Sequence, residues 1–321
     1  MAIIQTKHLR KKYDKIIAVE DLNIEIEEGE VFGLLGPNGA GKTTIIKMLA
    51  TLLEPSSGSA QVNGFDINSQ SKKVRESIGI VFQEPSSDEL LTAYENIKLY
   101  AMMYGIPDSE IQKGIRESLE LVELTNRKDH LVRTFSGGMR RRLEIARSLI
   151  HKPKVLFLDE PTLGLDPAGR EKMWDYISRL VEELGMTVLL TTHYMEEADS
   201  LADRIGIIDQ GKIVVIDTPK ALKDTLGGDV VTLTSQGLKI DEIEKLDYIK
   251  DLKQDKNQTI LTVKDVNKNL QPLLNFVGNI DSVEVRTTTL NDVFLRFTGK
   301  RIDEKGKNSF FEKIIQESVR R

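Results

Sequence analysis

Residues 30–50 read Glu30-Val-Phe-Gly-Leu-Leu35-Gly36-Pro37-Asn38-Gly39-Ala40-Gly41-Lys42-Thr43-Thr44-Ile-Ile-Lys-Met-Leu-Ala50. An apolar run of strand length leads into a glycine-rich turn, and an amphipathic stretch of helix length follows. In that order the glycines let the backbone curl with its N–H groups pointing inward, and the helix N-terminus adds its dipole. Such a loop is a phosphate cradle. Lys42 is placed to bridge β- and γ-phosphates, and the Thr43 hydroxyl to hold Mg²⁺.

Further apolar runs at Ile78 to Phe82, Val155 to Leu158, Val188 to Leu190 and Ile213 to Ile216 are too short for buried helices and read as buried strands. Helix-length amphipathic segments separate them. The alternation predicts an α/β fold with a mainly parallel central sheet. Between about residues 88 and 150 the pattern turns mostly helical. There Thr92-Ala-Tyr-Glu95 has the form of a capping box, and Pro107-Asp108-Ser109 ends one helix and starts another. This predicts a helical insert in an α/β body spanning residues 1–220. From about residue 227 to 321 the chain reads as a small α+β domain, with strands at Val230 to Leu233, Thr259 to Val263 and Ser282 to Val285. Its helices fall near Asp241, Val266 and Leu290. Phe310, Phe311, Ile314, Ile315 and Val319 form one stripe of a helical tail, expected to dock on the protein body or a partner, with a helix on the membrane surface as the alternative.

The second chemical signal is Lys154-Val-Leu-Phe-Leu-Asp159-Glu160, an apolar strand ending in two acids. Ligands of open α/β sheets lie at the C-terminal strand ends. Adjacent strand residues point to opposite faces, so the two acids address different points. Asp159 is the candidate for Mg²⁺, directly or through water, and Glu160 for the base that activates water. Two acids after a strand can equally form a solvated turn; the phosphate loop upstream favours the catalytic reading. Before the acids, Ser136 is a good N-cap, and Ser136-Gly137-Gly138 ahead of a helix from Arg140 to Ile150 makes a second anion-binding terminus.

In these motifs the chain resembles the ABC ATPases. The resemblance is carried by Gly36 to Thr44, Gln83 in Val81-Phe-Gln-Glu, Phe135-Ser-Gly-Gly-Met139 as the signature, Asp159-Glu160, Gly164-Leu-Asp166 and His193 in Leu190-Thr-Thr-His, in family order. It implies a P-loop cassette that binds ATP with Mg²⁺ and pairs head to tail with a second copy of itself or a homologous cassette. In such a pair Ser136, Gly137 and Gly138 face the γ-phosphate held by the partner. It also implies that Tyr13 stacks on adenine, that Gln83 touches Mg²⁺ and the attacking water, that His193 contacts the γ-phosphate, and that Asp166 sits in a loop crossing the dimer interface. Phe135 and Met139 replace the usual Leu and Gln, and Met139 lacks an amide that could bond across the interface. Arg140-Arg-Arg142 reads as a solvated, partly ion-paired helix face.

Val285 to Gly299, Pro161 to Ala168 and Thr191 to Asp199 resemble the ATPase subunits of daunorubicin-resistance-type exporters. That subfamily works with a separate six-helix permease, as two ATPases and two permeases, on the cytoplasmic face of the membrane. The loop Pro85 to Leu90 is the expected permease contact. Composition agrees with a cytoplasmic, peripheral subunit. The chain has 321 residues, 40% hydrophobic and 30% charged, and no cysteine. No run approaches the ~20 apolar residues of a membrane helix. The net charge of −5 gives no reason to expect nucleic acid. The rival class is a soluble ABC ATPase acting on ribosomes or DNA. Against it stand the single cassette, the absence of sustained heptads between Lys42 and Asp159, and nearly balanced charge after Ala221.

Overall fold

The structure, a computed structural model, describes residues 2–234, 240–255 and 258–299. The chain divides into two compact units, Met1–Ile216 and Asp217–Arg321.

At the centre of the first unit is a six-stranded sheet. Its order is Lys212–Asp217, Arg204–Asp209, Val31–Leu35, Thr187–Thr192, Val155–Asp159, Ile78–Val81. The four pairings from Arg204–Asp209 across to Ile78–Val81 are parallel. Val31–Leu35, Val155–Asp159 and Thr187–Thr192 are buried at every residue, as strands covered on both faces must be. Their alternate side chains divide between two cores. Val31, Leu156, Leu158, Val188 and Leu190 face one that includes the helical insert and Met173, Ile177 and Leu180 of the helix Pro167–Leu184. Phe32, Leu34, Val155, Phe157 and Leu189 face the other, with Ile45, Ile46 and Leu49 of the helix Lys42–Leu49.

That second core is closed by a five-stranded antiparallel sheet absent from the sequence reading. It is built from Ala2–Tyr13, Ile16–Leu22, Glu25–Glu27, Ser57–Val62 and Phe65–Asp66. The strand Ala2–Tyr13 conceals its period. Its register shifts between Leu9 and Lys11, and His8 sits at φ 51, so Lys7 to Tyr13 does not alternate.

In the helical insert the capping box holds. The Glu95 N–H donates to Thr92 Oγ1 at 3.1 Å and the Thr92 N–H to Glu95 Oε2 at 2.8 Å, starting the helix Ala93–Met103. The helix Asp108–Leu121 follows Pro107. The next helix is Gly137–Leu149, one turn longer at its start than the expected Arg140. Ser136 caps it, accepting from the Met139 N–H at 3.3 Å, so both signature glycines lie within the first turn.

The second unit holds a four-stranded antiparallel sheet in the order Ile249–Asp255, Gln258–Val263, Asp229–Thr234, Ser282–Arg286. Val231, Leu233, Leu261 and Val263 pack on Val266 and Leu273 of the helix Val266–Val277. The helix Leu290–Thr298 opens with a second capping box, Thr289 with Asp292, and Asp292 also pairs with Arg286 at 2.9 Å. It buries Leu290, Val293 and Phe294 and packs against Pro219–Asp224. The strand Ile249–Asp255 escaped the sequence reading because an edge strand of mixed charge lacks an apolar run. The tail stripe Phe310 to Val319 lies outside the described residues.

Candidate active site

The parallel register brings the C-terminal ends of three strands together, with Leu35 beside Thr192 and Asp159 beside Thr191. The loop after Leu35 is held from both sides. The Gly36 N–H donates to the Thr192 carbonyl at 3.2 Å, and a Cβ on Gly36 would stand 2.3 Å from the Ile208 carbonyl oxygen. Gly41 has φ 107, and a Cβ there would stand 2.3 Å from the Ala18 carbonyl oxygen. Only glycine satisfies both restrictions at Gly41.

Lys42 donates to the Gly36 and Pro37 carbonyls at 2.8 and 3.2 Å, and its Nζ lies 3.2 Å from Glu160 Oε1. The Thr43 hydroxyl donates to Asp159 Oδ2 at 2.9 Å. Asp159, 1% exposed, also accepts from Thr191 Oγ1 at 2.6 Å. Glu160 does not simply continue the strand alternation. It turns at φ 50, its N–H donating to the Thr191 carbonyl at 3.1 Å, and its carboxylate lies between Lys42 and His193, with Oε2 2.8 Å from His193 Nδ1. Both acids therefore serve one site. A cavity of about 290 Å³ is lined by Ala18, Asn38, Gly39, Gly41, Lys42, Thr43, Thr44, Gln83 and Glu160.

Burial alone would raise the Glu160 carboxyl, but its contacts with His193 and Lys42 outweigh that and hold it below its ordinary value. It is ionised at neutral pH and able to accept a proton. Burial lowers the Lys42 ammonium, opposed by Glu160 and Asp159.

Comparison with known proteins shows the family. Residues 19–163 match the family described as ABC transporter, and residues 218–298 match the C-terminal domain of ATP-binding proteins like DrrA1-3. The linearmycin resistance ATP-binding protein LnrL of Bacillus subtilis is 38% identical over 94% of this chain and 99% of its own length. This chain belongs to the ATP-binding subunits of ABC transporters. Identity is also 38% to the daunorubicin/doxorubicin resistance ATP-binding protein DrrA of Streptomyces peucetius, over 94% of each chain. With the Nod factor export ATP-binding protein I of Cupriavidus metallidurans it is 37%, over 94% of this chain and 99% of that one. Among solved structures, cbiO1 of Clostridium perfringens, part of the cbiONQ complex, superposes with TM-score 0.65 at 32% identity over 69% of this chain and 90% of its own. The cassette MJ0796, a dimer bound to ADP and Pi, superposes with TM-score 0.61 at 30% identity over 67% and 98%. The protein is an ABC ATPase.

Within one copy of the cassette, several expected residues lie apart from the cavity lining. Tyr13 ends its strand 43% exposed, with Lys11 Nζ 5.3 Å from its ring centroid. Ser136 and Gly137 are exposed at the start of their helix, and Leu165 Cδ2 lies 3.7 Å from where a Gly137 Cβ would be. Asp166 is exposed ahead of the helix Pro167–Leu184. Met139 packs its side chain against the core of the insert.

Three further residues of the ABC ATPase were not singled out from sequence. Thr191 fixes Asp159. Glu144, on the signature helix, accepts from the Ser86 and Ser87 N–H groups at 3.2 and 2.7 Å and pairs with Arg147 at 2.8 Å, so the loop after Gln83 is fastened rather than loose. Glu197, 0% exposed, sits near Thr192, Thr162 and Trp174, and burial pushes its carboxyl up despite them. Arg141, contrary to the solvated face expected of Arg140-Arg-Arg142, is enclosed. It is 7% exposed and donates to the carbonyls of Asp159 at 2.7 Å, Glu160 at 2.8 Å and Pro161 at 2.9 Å, and to that of Phe82. The run Arg140-Arg-Arg142 gave no hint, because the helix turns its three members in different directions.

Proposed function

We propose that this ABC ATPase drives a separate membrane permease as an exporter, as two cassettes that close head to tail over two ATP molecules. The observation that carries the hydrolytic reading is the Glu160 carboxylate, ionised and set between Lys42 and His193 on the wall of the phosphate-loop cavity.

Lys42 and N–H groups of the loop between Asn38 and Thr44 bind the β- and γ-phosphates. The Thr43 hydroxyl and the buried Asp159 carboxylate are hard oxygen donors 2.9 Å apart, which suits Mg²⁺. Among the described residues no three His, Cys, Asp or Glu gather as an all-protein cage, and Mg²⁺ commonly relies on one or two carboxylates plus substrate phosphates. A bound Mg²⁺ would offset charge on the phosphate oxygens. Glu160 accepts the proton of the attacking water, Gln83 orients that water, and His193 contacts the γ-phosphate. Ser136, Gly137 and Gly138, at a helix N-terminus where Ser136 and Gly137 are exposed, face the γ-phosphate of the second copy, and Asp166 sits in the loop that crosses the interface. Tyr13 stacks on the adenine.

Export through a permease is supported by the names of the relatives and by the match of the C-terminal unit. Among the described residues no helix is long and apolar enough to cross a membrane. On this reading the cassette sits at the cytoplasmic face of the membrane, with the segment Pro85 to Leu90 against the permease. Affinity isolation of the tagged chain from detergent-solubilised cells tests this. The expected assembly holds two copies with two membrane proteins. Recovery with ribosomes or DNA, and with no membrane protein, would overturn it.

A further inference from the structure

Arg141 lies in the second turn of the helix that begins after Ser136, and its guanidinium is almost wholly withdrawn from solvent. Three of its four carbonyl partners are consecutive, Asp159, Glu160 and Pro161; the fourth is Phe82. A planar fork with five N–H donors can hold several acceptors at fixed angles, which a lysine ammonium cannot. Its charge faces the carboxylates of Glu144, Asp159, Glu197 and Glu160.

What it holds is unusual backbone. Glu160 has φ 50, in the left-handed region that a non-glycine residue rarely adopts. That conformation aims its carboxylate at Lys42 and His193. The peptide group before Glu160 is held by the Thr191 carbonyl, which accepts the Glu160 N–H. The carbonyl of Glu160 itself is held by Arg141. The grip on Phe82 fixes the residue immediately before Gln83, which lines the same cavity.

We infer that Arg141 is a positioning residue for hydrolysis: one guanidinium on the signature helix holds Glu160 in its left-handed turn and keeps Gln83 in register with it. The inference rests on Glu160 being the base. Glu160 and Gln83 are thereby tied through one side chain to the helix that begins at Ser136.

The test compares the parent, Arg141→Lys, Arg141→Gln and Glu160→Gln in the full chain, measuring thermal midpoint, affinity for a fluorescent ATP analogue, and kcat and KM for ATP. Arg141→Lys keeps the buried charge but loses the fork. Its kcat should fall about 100-fold, the effect of roughly 1 Å of misplacement, while nucleotide affinity and KM stay within about threefold of the parent. Arg141→Gln should fall at least as far. A kcat near the parent's in folded Arg141→Lys, with only a lowered midpoint, would make Arg141 a purely structural residue and sink the inference. Parallel losses of affinity and kcat would do the same. If Glu160→Gln turns over ATP like the parent, the assignment of the base fails instead, independently of Arg141.

Discussion

Gly41→Ala adds one methyl group where the phosphate loop meets its helix, and the structure gives the size of the effect. Two costs arise. The residue has φ 107, a conformation that costs a non-glycine residue about 1–3 kcal/mol. The new Cβ would also stand 2.3 Å from the Ala18 carbonyl oxygen. Ala18 cannot easily retreat, because its strand pairs with Ala2–Tyr13 and the neighbouring Glu20 N–H is bonded to the Gly211 carbonyl at 2.7 Å. The loop must therefore move by about 1 Å, and losing one or two N–H bonds to charged phosphate, each worth about 1.5–3 kcal/mol, costs roughly 100-fold in affinity. Gly64→Ala is the control: φ is 76 but nothing lies within 4 Å of its Cβ position. Calorimetric titration with MgATP and thermal unfolding of both variants separate the two costs. Both should be destabilised by about 1–3 kcal/mol from backbone strain, and Gly41→Ala alone should lose about 100-fold in affinity. Parent-like affinity in Gly41→Ala, or equal losses in both, would refute the reasoning.

Other substitutions probe separate links. Thr191→Val removes the 2.6 Å hydroxyl bond to Asp159, so the Mg²⁺ concentration for half-maximal turnover should rise about tenfold; an unchanged requirement would detach Asp159 from the metal. Glu197 has its carboxyl raised by burial, so its stabilising contribution is complete below the unfolded value and is lost as pH rises through the folded one. The stability of Glu197→Gln relative to the parent should therefore grow from pH 5 to pH 8, and a flat difference in denaturant unfolding would contradict the burial argument. Thr289→Ala breaks the capping box of Leu290–Thr298 and should cost about 1 kcal/mol in the melting of the C-terminal unit.

The parts legible in the sequence are those where local chemistry and geometry coincide. Gly36 to Thr44 must be a turn before a helix, and Val155 to Glu160 must be a buried strand ending in acids, so their meeting at the C-terminal ends of the strands followed from the parallel fold. Ser136 as a cap and Thr92 with Glu95 were equally local. Arg141 was not legible, since only packing decides that the middle of three arginines is enclosed by the carbonyls of residues 82 and 159–161. Thr191 stood beside His193 in a run of strand residues and carried no separate mark. The left-handed turn at Glu160 likewise depends on partners distant in sequence. The N-terminal sheet was hidden because bulges break its alternation. The roles assigned to Ser136, Gly137, Gly138 and Asp166 belong to contacts between two copies.

The most direct measurement takes the purified chain and its Glu160→Gln variant with MgATP, recording mass in solution and phosphate release together. The account predicts that the variant binds ATP, accumulates as a dimer and releases almost no phosphate, while the parent turns over. A variant that stays monomeric and hydrolyses ATP at the parent's rate would contradict the assignment of Glu160 and the closed-dimer mechanism with it.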